Sequence, residues 1–487
     1  MFLGIDIGTS GVKVCLIDAG TRVLGDATAP LSISHPQPGW SEQTPEDWWR
    51  AVVSATREVL EAHPGAADKI EGIGLSGQMH GAVLLDSARE VIRPAILWND
   101  GRSEAQCAEI AAQDAGLAEI AGVRPMAGFT APKLKWLAQH EPAAHARIAH
   151  VLLPKDWIGM RLHGGLVTDP SDAAGTFWFD QAKGTWSKAL CAATDTDIRW
   201  LPELRAGNEI AGALTPEAAQ ALGLPAGVSV AAGAGDAAAG AVAIGAIREG
   251  MGFISLGTSG QVFLPTTTYR AAPEAGVHSF AHTVPGLWFQ MAAILNGARP
   301  MSWFADVAQA PIATLLDEAA AVSVDRLPLF LPYLTGERTP HGDTDIRAGF
   351  YGLANGTGRA EMMRAVLDAI AMSLADATDA IASATPLPDA MLTLGGGARS
   401  DLLLQTIADA TGLTLERGEK AEIGPAYGAA LLGASAAGAG AMETLVRRPE
   451  VIARFTPSEA GAARLAPRLD AYRALYQALK PVSRMAY

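Results

Sequence analysis

Cysteine is scarce. Cys15, Cys107 and Cys191 are the only three in 487 residues, and they are widely spaced. That pattern excludes a disulfide framework and a CxxC zinc knuckle, and it points to a reducing, cytoplasmic setting. Positive charge is also short, with 37 Lys and Arg against 51 Asp and Glu and a net charge of −14. With no dense Lys/Arg cluster, a nucleic-acid partner is excluded. Such an acidic chain binds an anionic ligand through backbone N–H cradles and a divalent cation instead of a broad positive face. Long apolar runs are missing as well. The opening MFLGIDIGTS has no basic region and is interrupted by Asp6, so it does not read as a signal peptide. The Ala/Gly-rich stretches 229–246 and 426–441 are only weakly apolar, so no membrane partner is predicted. The Walker pattern GxxxxGK[ST] is absent. Gly74-Leu75-Ser76-Gly77-Gln78 lacks the last glycine of a nucleophile elbow. His278 and His282 stand four apart without an accompanying Glu, in a segment that reads as strand, so they are not assigned a metal.

What is present is an ordinary globular balance, 49% hydrophobic and 18% charged, with 52 glycines placed mainly at the ends of apolar runs. The length calls for at least two large domains. Phe2–Asp18 and Gly252–Pro265 echo one another, each an apolar run, then Gly-Thr-Ser-Gly, then a second run. Both read as β-hairpins with that string at the tip, one opening each half of the chain. Between them Thr44 and Pro45 start a helix along which Trp48, Trp49, Val52, Val53, Val59 and Leu60 recur at helical spacing. Short strands are predicted at 70–76, 151–154, 228–232 and 391–394, and helices at 360–384 and 401–410. The chain is therefore α/β in both halves, with a crossover at 241–250.

Several residues carry candidate chemistry. Thr9 and Ser10 at the first tip, with Gly257, Thr258 and Ser259 at the second, offer hydroxyl and backbone donors of the kind phosphates require. Asp6, two residues before the first turn of this kind, is placed to hold Mg2+ or its water shell. Asp236, in AAGAGDAAAG, follows a strand and opens a run of small residues. It reads as a helix N-cap whose carboxylate is kept ionised by first-turn N–H groups and is able to take a proton from a hydroxyl. Gly396, Gly397 and Ala398 follow a strand in a turn that lets a flat ring approach the backbone, without the spacing of a dinucleotide fingerprint. Gln78, Met79 and His80 close a strand, and Trp98, Asn99, Asp100 and Arg102 form a polar-aromatic group suited to carbohydrate.

These motifs resemble the FGGY carbohydrate kinases over essentially the whole chain. GFTAPKLKWLAQH at 128–140 fits one family signature, with Lys133 and Trp136 at its fixed positions, and AGFYGLANGTGRAEMMRAVLD at 348–368 fits the other. IGLSGQMHGAVLLD, RPAILWNDGR, LLPKDW, SDAAGT, FLPYLTGERTPH and LGGGARS resemble the branch that acts on a five-carbon ketose, QMHG being the most discriminating against glycerol. The resemblance implies two ribonuclease-H-like domains of the actin-like ATPase fold, 1–243 binding sugar and 244–487 binding ATP, with a cleft between them. It implies ATP-dependent phosphorylation of D-xylulose to D-xylulose 5-phosphate with ATP and Mg2+ as cofactors, and a homodimer. Asp236 is then the base, and Asp6 and Asp236 hold Mg2+ largely through water. Met79, His80, Asn99, Asp100 and Arg102 are assigned to the sugar. Thr9, Ser10, Gly257, Thr258, Ser259, Gly396, Gly397 and Ala398 are assigned to ATP. One departure is Ala237, where relatives commonly carry Asn, so one amide hydrogen bond to the sugar is absent. The alternatives are a kinase for another polyol, an actin-like ATPase serving as a chaperone or filament protein, and a sugar sensor without catalysis.

Overall fold

Both Gly-Thr-Ser-Gly strings sit at the turns of antiparallel hairpins in the computed structural model, which describes residues 1–419 and 424–486. The first hairpin joins β1 (Phe2–Ile7) to β2 (Gly11–Ile17), with Ile7 opposite Val12. β3 (Val23–Pro30), α1 (Pro45–Ala62) and β4 (Gly72–Gly77) follow. Then come α2 (Thr130–His140), α3 (Pro154–His163), β5 (Ile210–Ala213), β6 (Ser229–Ala231), β7 (Ala234–Gly235) and α4 (Asp236–Ala243). The second half opens with β8 (Phe253–Leu256) and β9 (Gly260–Thr266), Leu256 lying opposite Gly260, and continues with β10 (His278–Ala281) and β11 (Trp288–Ile294). It ends with α5 (Arg359–Ala382), β12 (Ala390–Leu394), α6 (Asp401–Thr411), β13 (Thr414–Gly418), α7 (Pro425–Ala436), β14 (Val451–Phe455) and α8 (Glu459–Ala486).

The strands form two sheets with the same plan. The first runs β5-β6-β4-β1-β2-β3, with β7 also on β4, and the second runs β10-β11-β9-β8-β12-β13-β14. Laid over one another, β3, β2, β1, β4, β6 and β5 correspond to β11, β9, β8, β12, β13 and β14. Each direction agrees: the hairpins are antiparallel, β1–β4 and β8–β12 are parallel, and the next pair outward is parallel before the antiparallel edge strand. The chain is thus two ribonuclease-H-like domains in the actin-like ATPase arrangement, and the sequence echo is the visible trace of that duplication. Local chemistry follows the expected rules. In α1, Pro45 occupies the first turn, Glu46 and Asp47 sit at its positive end, and Trp48, Val52, Ala55 and Val59 are buried. Thr44 stands at the cap position, but its hydroxyl makes no cap bond, which corrects the sequence expectation.

One helix departs from sequence order. α7 lies far into the second half, yet it packs on β1 and β4 of the first sheet and on α4. Glycines make this approach possible, because a Cβ at Gly4 would overlap the Ala426 carbonyl, one at Gly74 the Ala429 carbonyl, and one at Gly428 the Ala239 carbonyl. Backbones are therefore in direct contact there, and α4 and α7 form a small-residue joint between the domains.

Candidate active site

The strand β1 carries Asp6 to the inner end of the first hairpin, where Oδ1 is buried and has no hydrogen-bond partner among the described residues. Burial pushes its pKa up to about 6, with Ser76 and Lys13 holding it back. Asp236 faces it electrostatically from the start of α4. The structure corrects the expected capping role: Gly235 occupies the N-cap, Asp236 is the first helical residue, and its Oδ1 accepts from the Ala237 N–H at 2.8 Å. It is also not simply held ionised. Burial and then the negative charge of Asp6 push its pKa up to about 7, because two close carboxylates in a water-poor site resist losing both protons.

The turn before Asp236 is tied to a buried charge cluster that sequence reasoning missed. The Gly235 N–H donates to Ser171 Oγ at 3.1 Å, and Ser171 Oγ donates to Asp169 Oδ2 at 2.5 Å. Lys155, on α3, pairs with Asp156 at 2.5 Å, Asp169 at 3.1 Å and Asp172 at 3.5 Å, all with side chains no more than 1% exposed. A signal for this cluster lay in LLPKDW and SDAAGT, where Lys155, Asp156 and Asp172 stand among apolar and small residues.

Met79 packs on Gly235, the residue before Asp236, and His80 follows it in the chain. A Cβ on Gly235 would stand 2.8 Å from Met79 Cγ, and one on Gly175 would stand 2.5 Å from the His80 ring. Both glycines therefore clear the space these side chains fill. His80 adopts a left-handed backbone at φ 70°, a costly conformation for a residue with a Cβ. It is held there by Thr130 Oγ1 and Lys133 Nζ, which donate to its carbonyl at 3.1 and 2.9 Å. This gives the signature lysine on α2 a structural meaning. The His80 Nδ1–H donates to the Gly175 carbonyl at 2.6 Å, and burial keeps the ring neutral by pushing its pKa well below the ordinary value. Nε2 is left as an acceptor for a hydroxyl.

At the first tip Ser10 is exposed, but the Thr9 hydroxyl is already engaged. It donates to Gln78 Oε1 and accepts from Trp98 Nε1, both at 3.0 Å. The Thr9 hydroxyl proton is therefore already given to Gln78, and Ser10 is the exposed hydroxyl at this tip, which narrows the role expected of Thr9. At the second tip Thr258 and Ser259 are exposed, and the Ala298 N–H donates to the Gly257 carbonyl at 2.7 Å. The Gly395–Ala398 turn nests against it, since a Cβ on Gly395 or Gly397 would meet Leu256 at 2.9 Å. A cavity of about 770 Å3 runs between Lys13, Asp26, Gly395, Ala398 and Tyr427. It shares Leu394, Gly395 and Gly424 with a second cavity of about 340 Å3 that reaches Asp236 and Ala237. Asp100 and Arg102 are placed differently from expectation. Arg102 Nη2 is 2.7 Å from Asp100 and 2.8 Å from Glu42, and its guanidinium lies 3.7 Å over Trp40. With side chains 0% and 1% exposed, both are spent on bracing the wall, while Asn99 is exposed at a separate surface hollow.

Duplicated domains, two phosphate-type tips and a carboxylate pair at their junction define a phosphotransferase of the actin-like ATPase fold. Residues 1–243 match the N-terminal domain of the FGGY family of carbohydrate kinases, and residues 252–437 match its C-terminal domain. The chain belongs to that family. It is 41% identical over 486 residues to the xylulose kinase of Escherichia coli (strain K12), covering 99% of this chain and 100% of that protein. It is 33% identical over 490 residues to the xylulose kinase of Bacillus subtilis (strain 168), covering 99% and 97%. Among solved structures, a xyloylose kinase from Brucella ovis superposes with a TM-score of 0.94 at 41% identity, covering 99% of both chains.

Proposed function

We propose that the chain transfers the terminal phosphoryl group of ATP to D-xylulose, giving D-xylulose 5-phosphate and ADP, in a reducing cytoplasm. The observation that carries this reading is Met79, followed by His80, packed on Gly235 directly before Asp236, where the cavity system that begins at Ala398 reaches that carboxylate. On this reading 1–243 presents the sugar and 244–487 most of the nucleotide site, with α7 returning to the first sheet. Ionised Asp236 takes the proton of the terminal sugar hydroxyl. The oxygen attacks the γ-phosphorus, forming the new O–P bond as the bond to ADP breaks, and Asp236 later gives the proton to water. Met79 and the neutral His80 hold the sugar, and the two tips hold the phosphates. Asp6 Oδ1, buried and free to accept, fits a divalent ion. Asp6 and Asp236 would hold Mg2+, largely through water, and the ion would supply charge neutralisation between the terminal phosphates.

ADP release with Mg-ATP across D-xylulose, D-ribulose, L-xylulose, glycerol, gluconate and a no-sugar control tests the reading. Turnover strongest with D-xylulose supports it. Preference for another acceptor retains the kinase and overturns the ketose, and no stimulation by any sugar overturns both.

A further inference from the structure

Arg338 belongs to the second domain, in the segment FLPYLTGERTPH, yet its guanidinium lies 5.6 Å from the ring of Trp98 in the first. The loop around it is pinned on both sides. Glu337 Oε1 accepts from the N–H groups of Leu295 at 2.6 Å and Arg338 at 2.8 Å, and Asn296 Nδ2 donates to the Gly336 carbonyl at 2.8 Å. Thr339 bonds Ala293 through its own N–H at 3.0 Å and through Oγ1 at 3.1 Å, and Oγ1 donates to the Gly276 carbonyl at 2.8 Å. Six hydrogen bonds thus fix the backbone that presents Arg338. The guanidinium itself is half-buried and makes no hydrogen bond or ion pair with any described residue. A rigidly presented, partly desolvated cation whose N–H groups have no acceptor, with only the nearby charge of Glu337 to offset it, is costly unless something absent from the free protein accepts its hydrogen bonds.

Its position within the cleft identifies the acceptor. Arg338's charge is felt at His80 and His278. The charge felt at Asp6 is that of Lys13, and the charge felt at Asp236 is that of Asp6. Arg338 therefore stands on the His80 side of the junction between the domains, over the Trp98 ring. Trp98 forms its floor and also holds the Thr9 hydroxyl, so the same ring joins this end of the site to the first phosphate tip.

We infer that Arg338 is a specificity-determining residue that reaches across the cleft to donate hydrogen bonds to the non-reacting end of the acceptor sugar, at the C1 hydroxyl and C2 carbonyl of a ketose. This rests on the sugar-kinase reading above. A planar guanidinium matches two neighbouring oxygens, here the C1 hydroxyl and C2 carbonyl. The contact comes from the second domain, so it would also tie sugar binding to closure.

The test compares wild type with Arg338→Lys and Arg338→Gln. The expected result is a rise of about 10- to 100-fold in the KM for D-xylulose in Arg338→Gln, the size of losing a charged hydrogen-bond donor. A smaller rise is expected in Arg338→Lys, with the KM for Mg-ATP within about twofold of wild type in both. An unchanged sugar KM in Arg338→Gln, or equal losses toward sugar and ATP, overturns the assignment. Wild type that ignores D-xylulose but phosphorylates another acceptor overturns the ketose reading alone, and the same KM comparison on that acceptor then decides Arg338. Wild type that uses no acceptor overturns both.

Discussion

Asp236 must be ionised to take a proton, yet burial and Asp6 favour its neutral form. A base poised near neutrality loses function just below it, so kcat/KM for the sugar should fall with acid through an inflection near pH 7; an inflection near 4 would falsify the assignment. Asp236→Ala should keep the fold and sugar binding while lowering kcat by at least about 100-fold, checked by ADP release and sugar titration. The same shift has a stability consequence. The folded pKa lies above the unfolded one, so the stability linked to this group is present below pH 4 and lost as pH rises through about 7. Asp236→Asn should therefore match the parent near pH 4 in thermal melts of the ligand-free protein. It should gain about 1–3 kcal/mol at pH 8, the usual scale for relieving a buried charge. Most of these residues were legible as candidates, because Asp6, Asp236, Met79 and His80 are unusual residues at strand ends. Their protonation was not, since it depends on Asp6 and Asp236 meeting across 230 residues of chain.

At the scale of elements, the joint between α4 and α7 is packed backbone to backbone. Gly428 lies against the Ala239 carbonyl with no room for a methyl group. Gly428→Ala should force the helices apart and cost about 2–4 kcal/mol, read as a lower urea midpoint with an unchanged slope. Hairpins, strand ends and α5 were readable from apolar periodicity; α5 was expected at 360–384 and spans Arg359–Ala382. The docking of α7 on the first sheet was not readable. A weakly apolar Ala/Gly run fits many surfaces, and only the matching glycines at positions 4, 72, 74 and 433 select this one.

For the whole molecule, the arrangement calls for closure. The residues proposed for the sugar lie mainly on the first domain, the second Gly-Thr-Ser-Gly tip and Arg338 lie on the other, and the joint between them is built of small residues. Small-angle scattering should show a smaller radius of gyration with sugar and a non-hydrolysable ATP analogue together than with either alone. An unchanged radius in the ternary state would mean that the free protein is already closed.

The sequence by itself determined the α/β class, the duplication and the residue types at the strand ends, because turn chemistry and apolar periodicity are local and survive in a string of letters. Tertiary structure alone decided which of those residues meet. It paired Asp6 with Asp236, used Thr9, Asp100 and Arg102 as braces, and ran the Lys155 cluster to the Gly235 amide. It also set Arg338 unpaired across the cleft. Burial and charge proximity are properties of the packed chain, and they turn a list of polar side chains into a base, a scaffold and a pocket.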